Sequence, residues 1–197
     1  VGRLPAHHAG LFCVQEPSAC SAVTVLDPQP GEKVLDLCAA PGGKSTQIAG
    51  LLAGEGLLWS NEIVKSRAQA LLSNVERLGV ANAVVSSCHP QRLCESLQGF
   101  FDKVLVDAPC SGLGIIRKKP DIRYKDLAGT EALPRLQLEI LNCQARYVKP
   151  GGALLYSTCT ILRRENRQVV QVFLEHHPDF FLIPLELPGG IPEESVG

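Results

Sequence analysis

Three short apolar runs in this chain each end in a turn-forming segment that carries reactive side chains. Lys33–Leu37 opens into Cys38-Ala39-Ala40-Pro41-Gly42-Gly43-Lys44. Lys103–Val106, the end of a run beginning at Phe101, leads into Asp107-Ala108-Pro109-Cys110-Ser111-Gly112. Ala153–Tyr156 leads into Ser157-Thr158-Cys159-Thr160. Two further strand-like runs are Leu57–Ser60 and Ala83–Ser86, and Phe180–Ile183 is expected as a sixth. Helical patterns fall between them: Gly43–Leu52, Leu136–Val148 and Glu165–His176. Ile63–Leu78 is another, with Ala68, Leu71, Leu72 and Val75 on one face and Gly79 as its stop. Strands alternating with helices predict an α/β fold with a doubly wound, mostly parallel sheet. Ligands bind outside the carboxyl ends of such strands. The three reactive segments are therefore expected on one rim.

The 197 residues suffice for one such domain. Residues 1–30, rich in Pro and His, read as an entry segment with a helix over Pro17–Leu26, and residues 31–197 as the main domain. The net charge of −1 excludes a global basic field, so a nucleic-acid partner must be held by local patches. The eight cysteines form no C-x-x-C pair and no zinc-type cluster, so no metal is expected. With no secretory-type leader, they fit a reducing cytoplasm, most of them as small packing residues. No apolar run approaches the roughly 18 residues that span a bilayer. No membrane association is expected, and the protein is expected to be a monomer.

Pro41-Gly42-Gly43-Lys44 lies where a strand gives way to a helix. Glycines there let the backbone approach a ligand, and the helix start favours negative groups. Gly43-Lys44-Ser45 also ends like a phosphate-binding P-loop, with Val104-Leu105-Val106-Asp107 imitating the second nucleotide motif. That motif needs a glycine where this chain has Cys38, so a nucleotide hydrolase is the alternative reading. A cofactor- or RNA-binding remnant without turnover is another. Glu62, ending the second strand, is placed to hydrogen-bond the ribose of a nucleoside cofactor. Cys110 and Cys159 are nucleophile candidates, and Lys44, Arg163 and Arg164 could lower a thiol pKa. Arg67 reads as a solvated charge. The segment after Cys110 clusters Arg117, Lys118, Lys119, Arg123 and Lys125.

These motifs together resemble the NSUN (Sun/Fmu) family of S-adenosylmethionine-dependent RNA cytosine-5 methyltransferases. Leu35–Lys44 is similar to its cofactor motif, Asp107–Gly112 to its Asp-Ala-Pro-Cys motif, and Tyr156–Thr160 to its nucleophile motif. His7–Phe12, Gln15–Ala19 and Asn61–Val64 resemble the RsmF type of bacterial ribosomal RNA member. Arg117–Ile122 resembles the RsmB type. The resemblance implies a Rossmann-like class I methyltransferase acting on a single-stranded or extruded cytosine, in ribosomal RNA. It implies that Cys38, Ala39, Ala40, Pro41, Gly42, Gly43 and Lys44 wrap the methionine part of S-adenosylmethionine, and that Glu62 holds its ribose. Asp107 would lie near the methyl donor and the cytosine edge, Cys159 would be the nucleophile, and Cys110 would assist release. Three departures from the family pattern are expected. Ser87-Cys88-His89 occupies the place of an acid that meets the adenine, the sequence is expected to stop short of a final antiparallel strand, and the accessory RNA-binding regions that flank the family's core are not expected in it.

Overall fold

The computed structural model describes residues 2–93, 95–124 and 126–184. The elements are α1 (Pro5–His8), α2 (Pro17–Leu26), β1 (Lys33–Asp36), α3 (Gly43–Leu52), β2 (Leu57–Asn61) and α4 (Lys65–Arg77). They continue with β3 (Ala83–Ser86), β4 (Phe101–Asp107), α5 (Leu133–Ala145), β5 (Val148–Ser157) and α6 (Arg167–His176). The chain divides into two compact units, Val1–Val106 with Gln144–Leu155, and Asp107–Cys143 with Tyr156–Gly197.

The first unit is organised by the sheet, in the order β3-β2-β1-β4-β5. The order steps outward from β1 in both directions, as the doubly wound prediction requires. β1 runs parallel to both β2 and β4, and β2 runs parallel to β3. Val34 pairs with Leu58, and Leu58 with Ala83, so these residues share one face. Val23, Leu26, Ile48, Ala49 and Leu52 of α2 and α3 close over Val34, Leu58 and Leu105 as one core cluster. Leu71 and Val75 of α4 pack with Ala39 and Ala40 in a second. Between β3 and β4 the chain makes two 3-10 turns, Pro90–Arg92 and Glu95–Leu97, rather than a helix. The buried Tyr147 hydroxyl donates to the carbonyls of Pro90 and Leu93, securing the first of these turns.

In the second unit the described residues between β4 and α5 form no regular helix or strand. Three 3-10 turns cover Leu113–Ile115, Pro120–Tyr124 and Ala128–Thr130. α6 buries Val169 and Phe173, and Phe173 stacks on His177 at 4.3 Å.

Several boundaries differ from expectation for identifiable reasons. β5 begins at Val148, so Lys149-Pro150-Gly151-Gly152 is strand rather than the close of a helix. At Gly152 an added Cβ would lie 2.7 Å from the Asp102 carbonyl, so the two backbones can touch only without a side chain there. The last helix starts at Arg167, not Glu165, because Arg163–Glu165 is a 3-10 turn that directs Glu165 inward. Phe180–Ile183 is not a strand. Phe180 packs edge-on against Phe173, while Phe181, Leu182 and Ile183 stand 80%, 65% and 60% exposed. An apolar run without a neighbouring strand has nothing to pair its backbone with. Among the described residues no helix is long and apolar enough to cross a membrane.

Candidate active site

In the first unit, the segment after β1 is held from beneath by a buried polar chain. Asp36, fully buried at the end of β1, accepts a 2.6 Å hydrogen bond from Ser45 Oγ. Ser45 Oγ accepts in turn from Ser60 Oγ at 3.1 Å. This ties β1, α3 and β2 together and disposes of the P-loop reading, in which the corresponding hydroxyl faces a metal-bound phosphate. Here the hydroxyl is buried and committed to a carboxylate.

α4 straps the same segment. Arg67 Nη2 donates to the Ala40 carbonyl at 2.8 Å, and Asn74 Nδ2 donates to the Pro41 carbonyl at 2.8 Å. The N–H of Ala39 donates to the Asn61 carbonyl at 3.0 Å. Gly42 has φ +107°, and a Cβ there would come within 3.0 Å of Leu71 Cδ1. Ala39, Ala40 and Gly42 are buried, Cys38, Gly43 and Lys44 half-buried, and Pro41 exposed.

Glu62 is 2% exposed. Its Oε1 accepts from the Val64 N–H at 3.0 Å. Its Oε2 lies 3.3 Å from Arg67 Nη1 and takes no hydrogen bond among the described residues. Arg67, read from sequence as a solvated charge, therefore braces both the loop and the acid. Its position five residues after Glu62, in the first turn of α4, was the available signal. Gln15 was also missed: its side chain lies where a Cβ on Gly43 would meet it at 3.5 Å, with a buried amide nitrogen that has no partner among the described residues. A glycine cradle, a buried acceptor and a buried donor suit a ligand with a nucleoside and an amino-acid end. His89 is an exposed capping residue whose Nδ1 accepts from the Gln91 N–H at 3.3 Å.

In the second unit the two candidate thiols meet. Cys110 Sγ and Cys159 Sγ are 3.1 Å apart, and the Cys159 N–H donates to Cys110 Sγ at 3.2 Å. Cys159 is exposed and Cys110 half-buried. Several bonds fix this geometry. Ser111 Oγ and Thr160 Oγ1 are 2.6 Å apart, linking the residues that follow each cysteine. The Gly114 N–H donates to the Cys159 carbonyl at 2.9 Å, and a Cβ at Gly114 would lie 2.9 Å from that oxygen. Asn166 accepts from Thr158 Oγ1 at 2.5 Å and donates to the Thr160 carbonyl at 3.0 Å. Asp107, half-buried, precedes this cluster in the chain.

The hydrogen bond to Cys159, and after it burial, pushes the Cys110 thiol well above the ordinary cysteine range. Two sulfurs at this distance share a proton, so one is readily a thiolate while the other is held as a thiol. The upward shift falls on the half-buried Cys110, while Cys159 is the exposed member of the pair. The neighbouring sulfur, rather than the cations expected from sequence, is the main influence on Cys110. Arg164 is turned to Thr130 Oγ1 at 2.7 Å. With Cys159→Ala the largest cause is gone, so Cys110 should titrate at lower pH than in the wild type. The pH profile of iodoacetamide labelling at Cys110, read by mass spectrometry, tests this; an unchanged profile contradicts it.

Of the other cysteines, Cys20, Cys88 and Cys143 are half-buried and Cys13 is exposed, so the packing role expected of Cys13 fails. Cys94 lies outside the described residues. Among those residues no group of three His, Cys, Asp or Glu side chains could hold a metal ion.

A five-stranded parallel sheet of this order, with flanking helices, is a Rossmann-like class I methyltransferase fold. Residues 23–194 match the family model described as 16S rRNA methyltransferase RsmB/F, and the chain belongs to that family. It is 40% identical over 182 residues to ribosomal RNA small subunit methyltransferase F of Erwinia tasmaniensis, covering 91% of this chain and 38% of that protein. It is 37% identical over 195 residues to the 25S rRNA (cytosine-C(5))-methyltransferase nop2 of Schizosaccharomyces pombe, covering 96% of this chain and 32% of that one. The crystal structure of NSun6 from Pyrococcus horikoshii with SFG superimposes with a TM-score of 0.81 at 31% identity, covering 89% of this chain and 45% of that chain. The chain thus spans less than half the length of these relatives.

Proposed function

We propose that this chain transfers a methyl group from S-adenosylmethionine to C5 of a cytosine in RNA, ribosomal RNA in particular, through a covalent Cys159–C6 adduct. The observation that carries the reading is the pair of sulfurs 3.1 Å apart, one exposed and one held as a thiol. Family membership supports the reaction class. So do the names of relatives, one of which specifies cytosine C5 of an RNA.

The cofactor half rests on the Cys38–Lys44 loop and Glu62. Their glycine cradle and buried acceptor suit S-adenosylmethionine, and the Pyrococcus horikoshii relative was solved with an analogue of it. When bound, that cofactor supplies an electrophilic methyl group. In this reading Glu62 accepts from the ribose hydroxyls, and the loop's backbone, with Lys44, encloses the methionine end.

Cytosine C5 is too weak a nucleophile to take a methyl group unaided. The Cys159 thiolate adds to C6, and the C5=C6 π pair becomes available at C5. Asp107 stabilises the adduct through the N3/N4 edge of the ring. Once C5 is methylated, a water molecule takes its proton, and the released C–H pair re-forms the C5=C6 bond as the Cys159–C6 bond breaks and Cys159 departs as a thiolate. Cys110, still a thiol, donates its S–H to the departing sulfur and so favours release. This divides one difficult step into two. The target base must be single-stranded or extruded to reach Cys159.

Phosphate binding falls to the loop after Cys110. Arg117, Lys118, Lys119 and Arg123 are all exposed, while Lys125 lies outside the described residues. Tyr124, 89% exposed beside Arg123, adds an aromatic face on which a base can stack. Neutralising the four described cations should flatten the salt dependence of RNA binding by about 0.7 log units per log salt for each phosphate no longer neutralised. An unchanged slope in a filter-binding titration would place the phosphate-binding cations elsewhere.

The reading is tested by incubating the chain with small-subunit ribosomal RNA and S-adenosylmethionine, then analysing the RNA nucleosides. It predicts 5-methylcytidine, absent with Cys159→Ala.

A further inference from the structure

Glu165 is fully buried, yet no cation pairs with it among the described residues. Burying a carboxylate without a counter-charge opposes folding, and an apolar residue of similar volume is usually at least as favourable. Its partners show what the carboxylate achieves there. Glu165 Oε2 accepts from the Ser111 N–H at 2.8 Å and from Gln137 Nε2 at 3.0 Å. Gln137, itself fully buried, also donates through Nε2 to the Pro109 carbonyl at 2.9 Å. The two side chains therefore grip the residue before Cys110 and the residue after it. The backbone carbonyl of Glu165 accepts from Tyr156 Oη at 2.7 Å, and Tyr156 lies three residues before Cys159. Burial, above all, pushes the Tyr156 phenol up, so it remains the donor in that bond.

We propose that Glu165, with Gln137, is a positioning residue that holds Cys110 at proton-sharing distance from Cys159 and thereby governs release of the RNA adduct. This rests on the covalent reading above. Cys110 sits on an irregular segment after a strand, with Pro109 unable to donate a backbone hydrogen bond. Without the Glu165–Gln137 grip, the backbone loses its anchors at the Pro109 carbonyl and the Ser111 N–H, and the Ser111–Thr160 hydroxyl bond alone holds that flank. An S–H···S contact does not survive a displacement of an ångström, and misplacements of that size slow catalysis by up to about 10²-fold. The departing Cys159 thiolate would then lack its donor, while its attack, made by the exposed sulfur, would continue.

The test compares wild type, Glu165→Ala and Glu165→Gln in a single-turnover assay with ribosomal RNA and labelled S-adenosylmethionine. Adduct formation and release are followed on denaturing gels. Glutamine keeps one acceptor oxygen for Ser111 and Gln137. Glu165→Ala is expected to form adduct within a few-fold of the wild-type rate and to release it more than about tenfold more slowly. Glu165→Gln should release it close to the wild-type rate, a rescue that a general decline in stability would not produce. If Glu165→Ala loses its thermal transition or its S-adenosylmethionine affinity, Gln137→Leu carries the same comparison, because it removes the grip on Pro109 and leaves the carboxylate in place. Wild-type release by a folded Glu165→Ala, or by Gln137→Leu when that variant stands in, overturns the proposal. So does a folded variant that forms no adduct, since the residue would then serve Cys159 instead. A wild-type chain that forms no adduct and transfers no methyl group defeats the covalent reading itself, an outcome distinct from either.

Discussion

Replacing Cys159 with alanine is expected to reduce methyl transfer to RNA by about 10⁴-fold or more, the order of loss when a covalent nucleophile is removed. No RNA–protein band should then survive denaturation. Replacing Cys110 is expected to give the opposite signature. Cys159, the proposed nucleophile, remains exposed, but the sulfur 3.1 Å away that is proposed to stabilise it as a leaving group is gone. Methylated RNA should therefore stay attached, and Cys110→Ala should accumulate a band that the wild type shows only transiently. The two variants separate the proposed roles because the two sulfurs differ in exposure. Bands in Cys159→Ala and none in Cys110→Ala would reverse the assignment. No band in either would count against covalent catalysis by this chain.

The second large effect is expected at Glu62. Truncating this 2% exposed acid to alanine removes the acceptor proposed for the ribose hydroxyls. It should weaken S-adenosylmethionine binding by roughly 1–3 kcal/mol, the range for buried hydrogen-bond partners left unmade. Arg67 complicates the experiment, since it pairs with Glu62 at 3.3 Å and also supports the Ala40 carbonyl. Glu62→Gln separates the effects by keeping an acceptor while removing the charge. Calorimetry with S-adenosylmethionine and ATP in parallel provides the measurement. ATP should give no saturable heat, because Ser45 is committed to Asp36 rather than open to a phosphate-bound metal. Saturable ATP binding together with an unchanged S-adenosylmethionine affinity in Glu62→Ala would contradict this account of the loop.

Much of this was legible in the chain because it is written in local patterns. The strand runs and the Gly43–Leu52 helix follow from hydrophobic period and turn residues, and the helix occupies the range the pattern predicts. The two thiols were visible because each follows a strand in a turn-prone setting. What stayed hidden depends on neighbours distant in sequence. Glu165 meets Ser111 across 54 positions and Gln137 across 28, and nothing local marks a glutamate in a charged stretch as one that turns inward. Arg67 looked solvated because an arginine on an amphipathic helix usually is; its reach to Ala40 spans 27 positions. Phe180–Ile183 carried a strand's composition, yet composition cannot supply the neighbour a strand must pair with. Sequence offered Lys44, Arg163 and Arg164 as cations that could lower a thiol pKa, whereas at Cys110 the second sulfur and burial raise it.

The central claim is that this chain methylates cytosine C5 and that Cys159 makes it possible. Its most direct test is transfer of an isotopically labelled methyl group from S-adenosylmethionine to small-subunit ribosomal RNA, followed by mass spectrometry of the nucleosides. The account predicts label in 5-methylcytidine with the wild-type chain and none with Cys159→Ala. Label in a different nucleoside, or 5-methylcytidine formed equally well without the Cys159 thiol, would contradict it.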